Sequence, residues 1–129
     1  MKRRTASRSN YWTLRDRKRA EVHGASVQKA VKAGVKIAFG TDMGGIEWTE
    51  PIAQEFPYLL QFGLTPMAAI QAATSRAAEL LDMKGDIGVV APGAYADIIA
   101  VNGYPLQDIK ALGRVRFVMQ SGSVFRREP

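Results

Sequence analysis

The sequence predicts an α/β fold that passes into a small β part toward its C-terminal end. Three observations support this prediction: a helical pattern followed at once by a short apolar run, a second helix with a clear start signal, and a glycine-punctuated final third that holds two more apolar runs. Helices alternating with short buried strands are typical of α/β proteins. The chain has 129 residues, of which 47% are hydrophobic and 23% charged, as expected for one soluble globular domain.

The first helix is predicted from about Leu14. Val27 and Val31 lie one turn apart on the same face, and Gly34 stands where a left-handed residue commonly ends a helix. The apolar run 35–40 follows directly and ends at glycine. Its length and composition indicate a buried strand of a parallel sheet.

The second helix is the best-defined element of the sequence. Thr65 can cap its free amides and Pro66 suits its first turn. A short helix is also expected before it, from about Pro51 to Gln61. The predicted apolar face of the second helix consists of Met67, Ile70, Ala73, Ala77, Leu80 and Leu81.

The chain changes character beyond Met83, where glycine and proline punctuate short runs. Strands are predicted at 97–101 and 115–120, and Ser121-Gly122 is expected to turn the chain into a hairpin. We therefore divide the chain into a basic, disordered lead (1–13), an α/β part (14–82) and a β part (83–129).

The net charge of +6 is unevenly distributed, since residues 1–36 hold eleven Lys or Arg against two acids. Such a segment could bind phosphates non-specifically, but no aromatic platform accompanies it, so a solvated start is favoured over a nucleic-acid partner.

No apolar run approaches the ~20 residues that span a bilayer, so no membrane association is expected. The absence of cysteine excludes thiolate metal sites and fits a cytoplasmic protein.

Asp42 is the leading candidate for chemistry. It follows the apolar run 35–40 and precedes Gly44-Gly45, and ligands of α/β proteins bind at the carboxyl ends of such strands. A carboxylate there could bind a metal and carry a proton. The alternative is an Asp that caps a turn. Weaker candidates are Glu47, Glu50 and Glu55 for a substrate contact, with a solvated surface as the favoured alternative. Trp48 and Tyr58 could line a pocket, with ordinary packing as the favoured alternative.

Four stretches resemble, in order, the C-terminal portion of the amidohydrolase superfamily, with the imidazolonepropionase-like and Xaa-Pro-dipeptidase-like members nearest. They are Ala33–Asp42, Leu64–Thr74, Ala77–Leu81, and a final group formed by Ile87-Gly88, Pro92-Gly93, Ala96–Val101 and Pro105-Leu106. The resemblance covers about residues 20–127.

The resemblance implies the end of a TIM-type (β/α)8 barrel followed by part of a small β-sandwich. It implies one or two divalent metals, typically zinc, held by a His-x-His pair, often a carboxylated lysine, later histidines and an aspartate matched by Asp42. That aspartate would be both metal ligand and catalytic proton carrier. The complete enzyme would hydrolyse C–N bonds of small amide, cyclic amide or dipeptide-like substrates through a metal-activated water.

The chain departs from the family pattern in its metal ligands. Its one histidine, His23, is predicted on the first helix in an exposed or packing role, and no His-x-His is present. Catalytic zinc needs about three protein ligands, so we expect the chain alone to bind no metal and to be inactive. A complementing barrel chain or self-association is expected to cover its unpaired strand. The alternative function is a non-catalytic interaction protein built on the same scaffold.

Overall fold

A computed structural model describes residues 14–41 and 52–129 of the chain. Its helices are α1 (Leu14–Lys32), α2 (Phe56–Gln61), α3 (Pro66–Ala73) and α4 (Ser75–Leu80). Its strands are β1 (Ile98–Val101), β2 (Val115–Gln120) and β3 (Ser123–Arg127). Two 3₁₀ helices, Ile52–Glu55 and Ile109–Gly113, precede α2 and β2. The predicted lead 1–13 lies outside the described residues.

Helix α1 ends as the sequence predicts, at a glycine with a left-handed backbone. Gly34 has φ +73°. Its amide donates to the Val31 carbonyl, and the Val35 amide donates to the Ala30 carbonyl, each at 3.0 Å. These paired bonds form a Schellman motif, which satisfies carbonyls that the end of a helix leaves free. The chain therefore turns sharply out of α1 into residues 35–41.

The predicted start of the second helix is confirmed, but its continuity is not. Thr65 Oγ1 accepts a hydrogen bond from the Ala68 amide at 3.2 Å. The helix then breaks at Thr74, whose backbone has φ −126° and ψ −97°. Thr74 Oγ1 donates to the Ile70 carbonyl at 2.8 Å, a side-chain bond of the kind that bends helices. Two short helices, α3 and α4, replace the single predicted one.

Only half of the predicted apolar face of this region is partly buried, namely Ile70, Ala73 and Ala77. Met67 and Leu80 are 47% and 75% exposed, whereas Ala69 and Ala72 are fully buried. The two alanines share a core with Leu59 and Leu64, and Val31, Phe39, Phe56, Leu60 and Ala68 pack around it. Because small residues let the helix approach its neighbours closely, the alanine face turns inward and the larger side chains remain outside.

The predicted buried strand at 35–40 is not a strand in this structure. No described residue pairs with it in a sheet, and Val35 is 55% exposed. A strand needs backbone partners on at least one side, and the described part of the chain supplies none. A backbone bond from the Phe39 amide to the Ala72 carbonyl, at 2.9 Å, connects the segment to α3 instead.

The three strands form one antiparallel sheet in the order β1-β2-β3. Ile98 pairs with Met119, and Gln120 pairs with Ser123 across the predicted hairpin turn. Both turn residues have positive φ, 48° at Ser121 and 78° at Gly122. A type I′ turn requires this geometry because it matches the twist of the strands. The hairpin prediction is confirmed.

Three further hydrogen bonds join the sheet to its connections. The Ser121 amide donates to Asp97 Oδ1 at 2.7 Å, which ties the start of β1 to the hairpin turn. Arg114 donates to the Asn102 carbonyl at 2.8 Å and to Asp108 Oδ2 at 2.9 Å, so it braces the connection between β1 and β2. Within residues 14–41 and 52–129, no helix is long and apolar enough to cross a membrane.

Candidate functional site

The segment 35–41 leads to the candidate site and is held in place from two sides. The Phe39 amide bonds to Ala72 at the end of α3, and the Phe39 ring lies 5.6 Å from the Phe56 ring at an interplanar angle of 56°. A tilted aromatic pair at this separation is favourable beyond its buried area. The backbone that approaches Thr41 is therefore anchored to both α2 and α3.

The start of the same segment is tied to α4 by an ion pair. Lys36 Nζ lies 2.7 Å from Glu79 Oε1, with the two side chains 75% and 42% exposed. The hydrogen bond and charge of Lys36 hold the pKa of the Glu79 carboxyl below its ordinary value. Since both groups face water, the pair contributes little to stability, and its main effect is to orient residue 36.

Asp42, the predicted metal ligand and catalytic residue, lies outside the described residues, as do Glu47, Trp48 and Glu50. The structure describes the chain up to Thr41, which is partly buried. Asp42 therefore follows directly on an anchored segment, and its role stays a prediction.

The remaining predicted residues lie apart from one another. His23 is exposed on α1, as the sequence predicts. Glu55 is partly buried at the end of the first 3₁₀ helix. Tyr58 is 56% exposed and lines a pocket of about 500 Å³ beside Lys110 and Arg114.

The donor set of the described residues does not suit a metal centre. Within the described part of the chain, no group of three or more His, Asp or Glu side chains could hold a metal ion. A catalytic zinc is bound by about three protein ligands. The described residues by themselves therefore support no reaction step that uses a bound metal.

The sequence did not predict an apolar cleft of about 710 Å³ between α3 and the sheet. Ile70 and Ala73 of α3 line one side of it, and Ile99 and Val101 line the other. The first two belong to the apolar face that the sequence predicts for the second helix. Their helical spacing was a usable signal, but the pattern could not show that they face a cleft and not the core. The cleft is a second candidate for binding.

Comparisons with known proteins agree on one family. The model of the Amidohydrolase family matches residues 4–125. Ochratoxinase of Aspergillus niger is 37% identical over 114 residues, which are 83% of this chain and 23% of that protein. This chain thus spans about a quarter of the length of the curated relatives that it matches most extensively.

Solved structures support the same assignment. A Xaa-Pro dipeptidase with bound methionine in its active site is similar at a TM-score of 0.74 and 39% identity, covering 80% of this chain and 25% of that one. The Aspergillus niger ochratoxinase structure is similar at a TM-score of 0.72 and 34% identity, covering 92% of this chain and 29% of the other. The similarity extends over both the helical part and the sheet.

Proposed function

Since this chain belongs to the amidohydrolase family, we propose that it forms the C-terminal portion of a metal-dependent enzyme that hydrolyses C–N bonds. Its substrates are small amides, cyclic amides or dipeptide-like molecules. The observation that carries the proposal is the similarity to a Xaa-Pro dipeptidase over 80% of this chain. A cytoplasmic location is part of the proposal, in keeping with a chain that has no cysteine.

In this proposal, residues 14–82 form the last strand and helices of a TIM-type barrel. Residues 83–129 form part of a β-sandwich. Residues 35–40 support it, because they are mostly apolar, follow α1 directly in the sequence and pair with no strand in the described part of the chain. A barrel strand takes its hydrogen bonds from neighbours on both sides. A complementing barrel chain, or a longer form of this one, would supply those neighbours.

Asp42 is the proposed metal ligand and proton carrier. Its place three residues after the anchored Phe39 supports this role, because a group that acts on a reacting atom must be held in position. A divalent metal, most simply zinc, would supply an activated water. Its other ligands would come from outside this chain, since one carboxylate alone does not hold zinc against water.

A hybrid enzyme tests the role of Asp42. Residues 14–129 replace the matching quarter of a Xaa-Pro dipeptidase, and kcat/KM for Xaa-Pro dipeptides is measured. We expect Asp42→Asn to lower kcat/KM by about 10²–10⁴-fold, the range for a general acid–base residue. Asp82→Asn, an exposed position at the end of α4, is the matched control and should leave it unchanged. Full activity in the Asp42→Asn hybrid would rule out the proposed role.

The 129-residue chain alone provides a second test. With Zn²⁺ added, we expect no hydrolysis of Xaa-Pro dipeptides and no stoichiometric metal after dialysis. Turnover by this chain, absent from its Asp42→Asn variant, would show that its own residues complete the site, and the need for ligands from elsewhere would be disproved.

A further inference from the structure

The connection that follows β1 begins with Asn102-Gly103, the only asparagine–glycine pair in the sequence. Arg114 holds the backbone of Asn102 on both sides. The Asn102 backbone amide donates to the Arg114 carbonyl at 2.8 Å, and Arg114 Nε donates to the Asn102 carbonyl at 2.8 Å. Within residues 14–41 and 52–129, neither the Asn102 side chain nor the Gly103 amide has a hydrogen-bond partner.

The fold requires glycine at position 103. Gly103 has φ +114°, a conformation that other L-residues rarely adopt. A Cβ atom added there would lie 2.8 Å from Arg114 Nη2 and 3.3 Å from the Ala111 Cβ. The same packing that keeps side chains away from position 103 therefore leaves its backbone nitrogen without a Cβ beside it. Such a nitrogen is the least hindered one that a peptide chain can offer to a reacting group.

The two residues carry both partners of an intramolecular reaction. The side-chain carbon Cγ of Asn102 is an electrophile, and the Gly103 nitrogen can close a five-membered ring onto it. Because the groups belong to adjacent residues, their encounter is effectively unimolecular. Hydrogen bonds to either amide would hold the groups apart, but the described part of the chain provides none. Both residues are also exposed, so water can reach them.

We propose that Asn102 is a site of spontaneous modification, at which the side chain cyclises onto Gly103 and then hydrolyses. The Gly103 nitrogen bonds to Cγ, the Cγ–Nδ2 bond breaks, and the Gly103 amide proton leaves with Nδ2 as ammonia. Water then cleaves one of the two ring C–N bonds. Cleavage at Cγ gives aspartate, and cleavage at the backbone carbonyl carbon of residue 102 gives isoaspartate. The reaction consumes only water, and it does not depend on the proposed function.

The modification alters the brace that Arg114 provides. Either product places a new negative charge at residue 102, next to an Arg114 that already pairs with Asp108 at 2.9 Å. Isoaspartate also routes the backbone through Cβ and Cγ, which lengthens the path between the amide and the carbonyl of residue 102. The isoaspartyl form therefore cannot keep both bonds to Arg114 in their present geometry.

Mass spectrometry of the 129-residue chain, incubated at neutral pH and digested with trypsin, tests the proposal. The tryptic peptide 85–110 contains Asn102 as its single asparagine. We expect aspartate and isoaspartate to accumulate at position 102. The reference is a synthetic peptide of residues 99–106 in the same buffer, which has the same pair without the fold.

The rate in the chain should lie within about 10-fold of the rate in the peptide, because local opening of an exposed connection costs little free energy. If the pair could react only after global unfolding, the chain would be slower by about 10³-fold or more. A rate in the chain more than about 10-fold below that of the peptide would overturn the proposal.

Two controls separate the asparagine–glycine pair from general ageing of the sample. Asn10, the other asparagine of the chain, precedes Tyr11 and lies in the tryptic peptide 9–15. We expect it to react at least about 10-fold more slowly, because the Tyr11 side chain hinders the attacking nitrogen. Asn102→Gln should abolish the mass gain of peptide 85–110, since glutamine must close a larger ring. Equal rates at Asn10 and Asn102, or an unchanged mass gain in Asn102→Gln, would contradict the proposal.

Discussion

Gly88 packs directly against the backbone of Thr74, at the point where α3 breaks and α4 begins. A Cβ atom added at Gly88 would lie 2.6 Å from the Thr74 carbonyl carbon and oxygen and 2.9 Å from the Ser75 nitrogen. Gly88 also has φ +72°, a conformation that other L-residues adopt at a cost. This contact joins the connection toward the sheet to the helical part of the molecule.

We predict that Gly88→Ala destabilises the protein by about 2 kcal/mol or more, because left-handed strain and overpacking against rigid backbone act together. The free energy of unfolding in urea measures the loss. Gly85→Ala is the matched control, since Gly85 has φ +93° but nothing within 4 Å of its added Cβ. The control should lose only about 1 kcal/mol, the strain alone. Equal losses in the two variants would show that the close approach of Gly88 to Thr74 does not contribute to the destabilisation.

Asp82 ends α4 in a conformation that favours glycine, with φ +57°. The Asp82 amide donates to the Glu79 carbonyl, and the Met83 amide donates to the Ala78 carbonyl, so the helix ends in a Schellman motif. We predict that Asp82→Gly raises the free energy of unfolding by about 1 kcal/mol, the strain of a left-handed non-glycine residue. Thermal unfolding followed by circular dichroism measures the change. An unchanged or lower Tm would contradict it.

Thr65 caps α3 through its hydroxyl. We predict that Thr65→Ala lowers the free energy of unfolding by about 1 kcal/mol, because the Ala68 amide loses its partner. Thr65→Ser keeps the hydroxyl and should retain most of the stability. Urea unfolding of both variants against the parent chain measures the difference. If serine and alanine cost the same, the cap is not the source of the effect.

The Lys36–Glu79 pair predicts how the Glu79 carboxyl titrates at acid pH. The pKa of Glu79 is lowered by the hydrogen bond and charge of Lys36, so the pair contributes stability above the unfolded pKa of the carboxyl. That contribution is lost as the pH falls through the lower, folded pKa. We expect Lys36→Met to raise the Glu79 pKa in an NMR titration of the carboxyl carbon.

Lys84→Met is the control for this titration. Lys84 also lowers the Glu79 pKa, but as a smaller cause than Lys36. Its removal should therefore raise the pKa less, and added salt should reduce both effects because the groups are exposed. An equal rise in the two variants would mean that the short contact between Lys36 and Glu79 does not form in solution.

Local signals in the sequence correctly predicted the end of α1, the start of α3 and the turn between β2 and β3. Gly34 ends α1, Thr65 and Pro66 begin α3, and Ser121-Gly122 forms the hairpin turn. Each of these depends on a residue's own backbone preference or on a bond to a neighbour a few positions away, which short sequence patterns report. The family resemblance is confirmed by the family model as well.

The contacts between distant parts of the chain could not be predicted in this way. Periodicity identified Met67 and Leu80 as apolar, but whether they lie in the core depends on which elements pack against them. The break at Thr74 depends on a competing side-chain bond together with the approach of Gly88 from a distant segment. For the metal site, the sequence identified a single residue, Asp42. The other residues that would surround a bound metal depend on the fold, which short sequence patterns do not report.

The sequence by itself determined the family, the end of α1, the start of α3 and the hairpin, because these depend on residue identity and short-range bonds. Only the tertiary structure decided which apolar residues are buried, where the cleft lies and how the strands pair in the sheet. Residues 35–40 show the physical reason. They are apolar enough for a buried strand, but a strand exists only where another part of a protein supplies its hydrogen-bond partners.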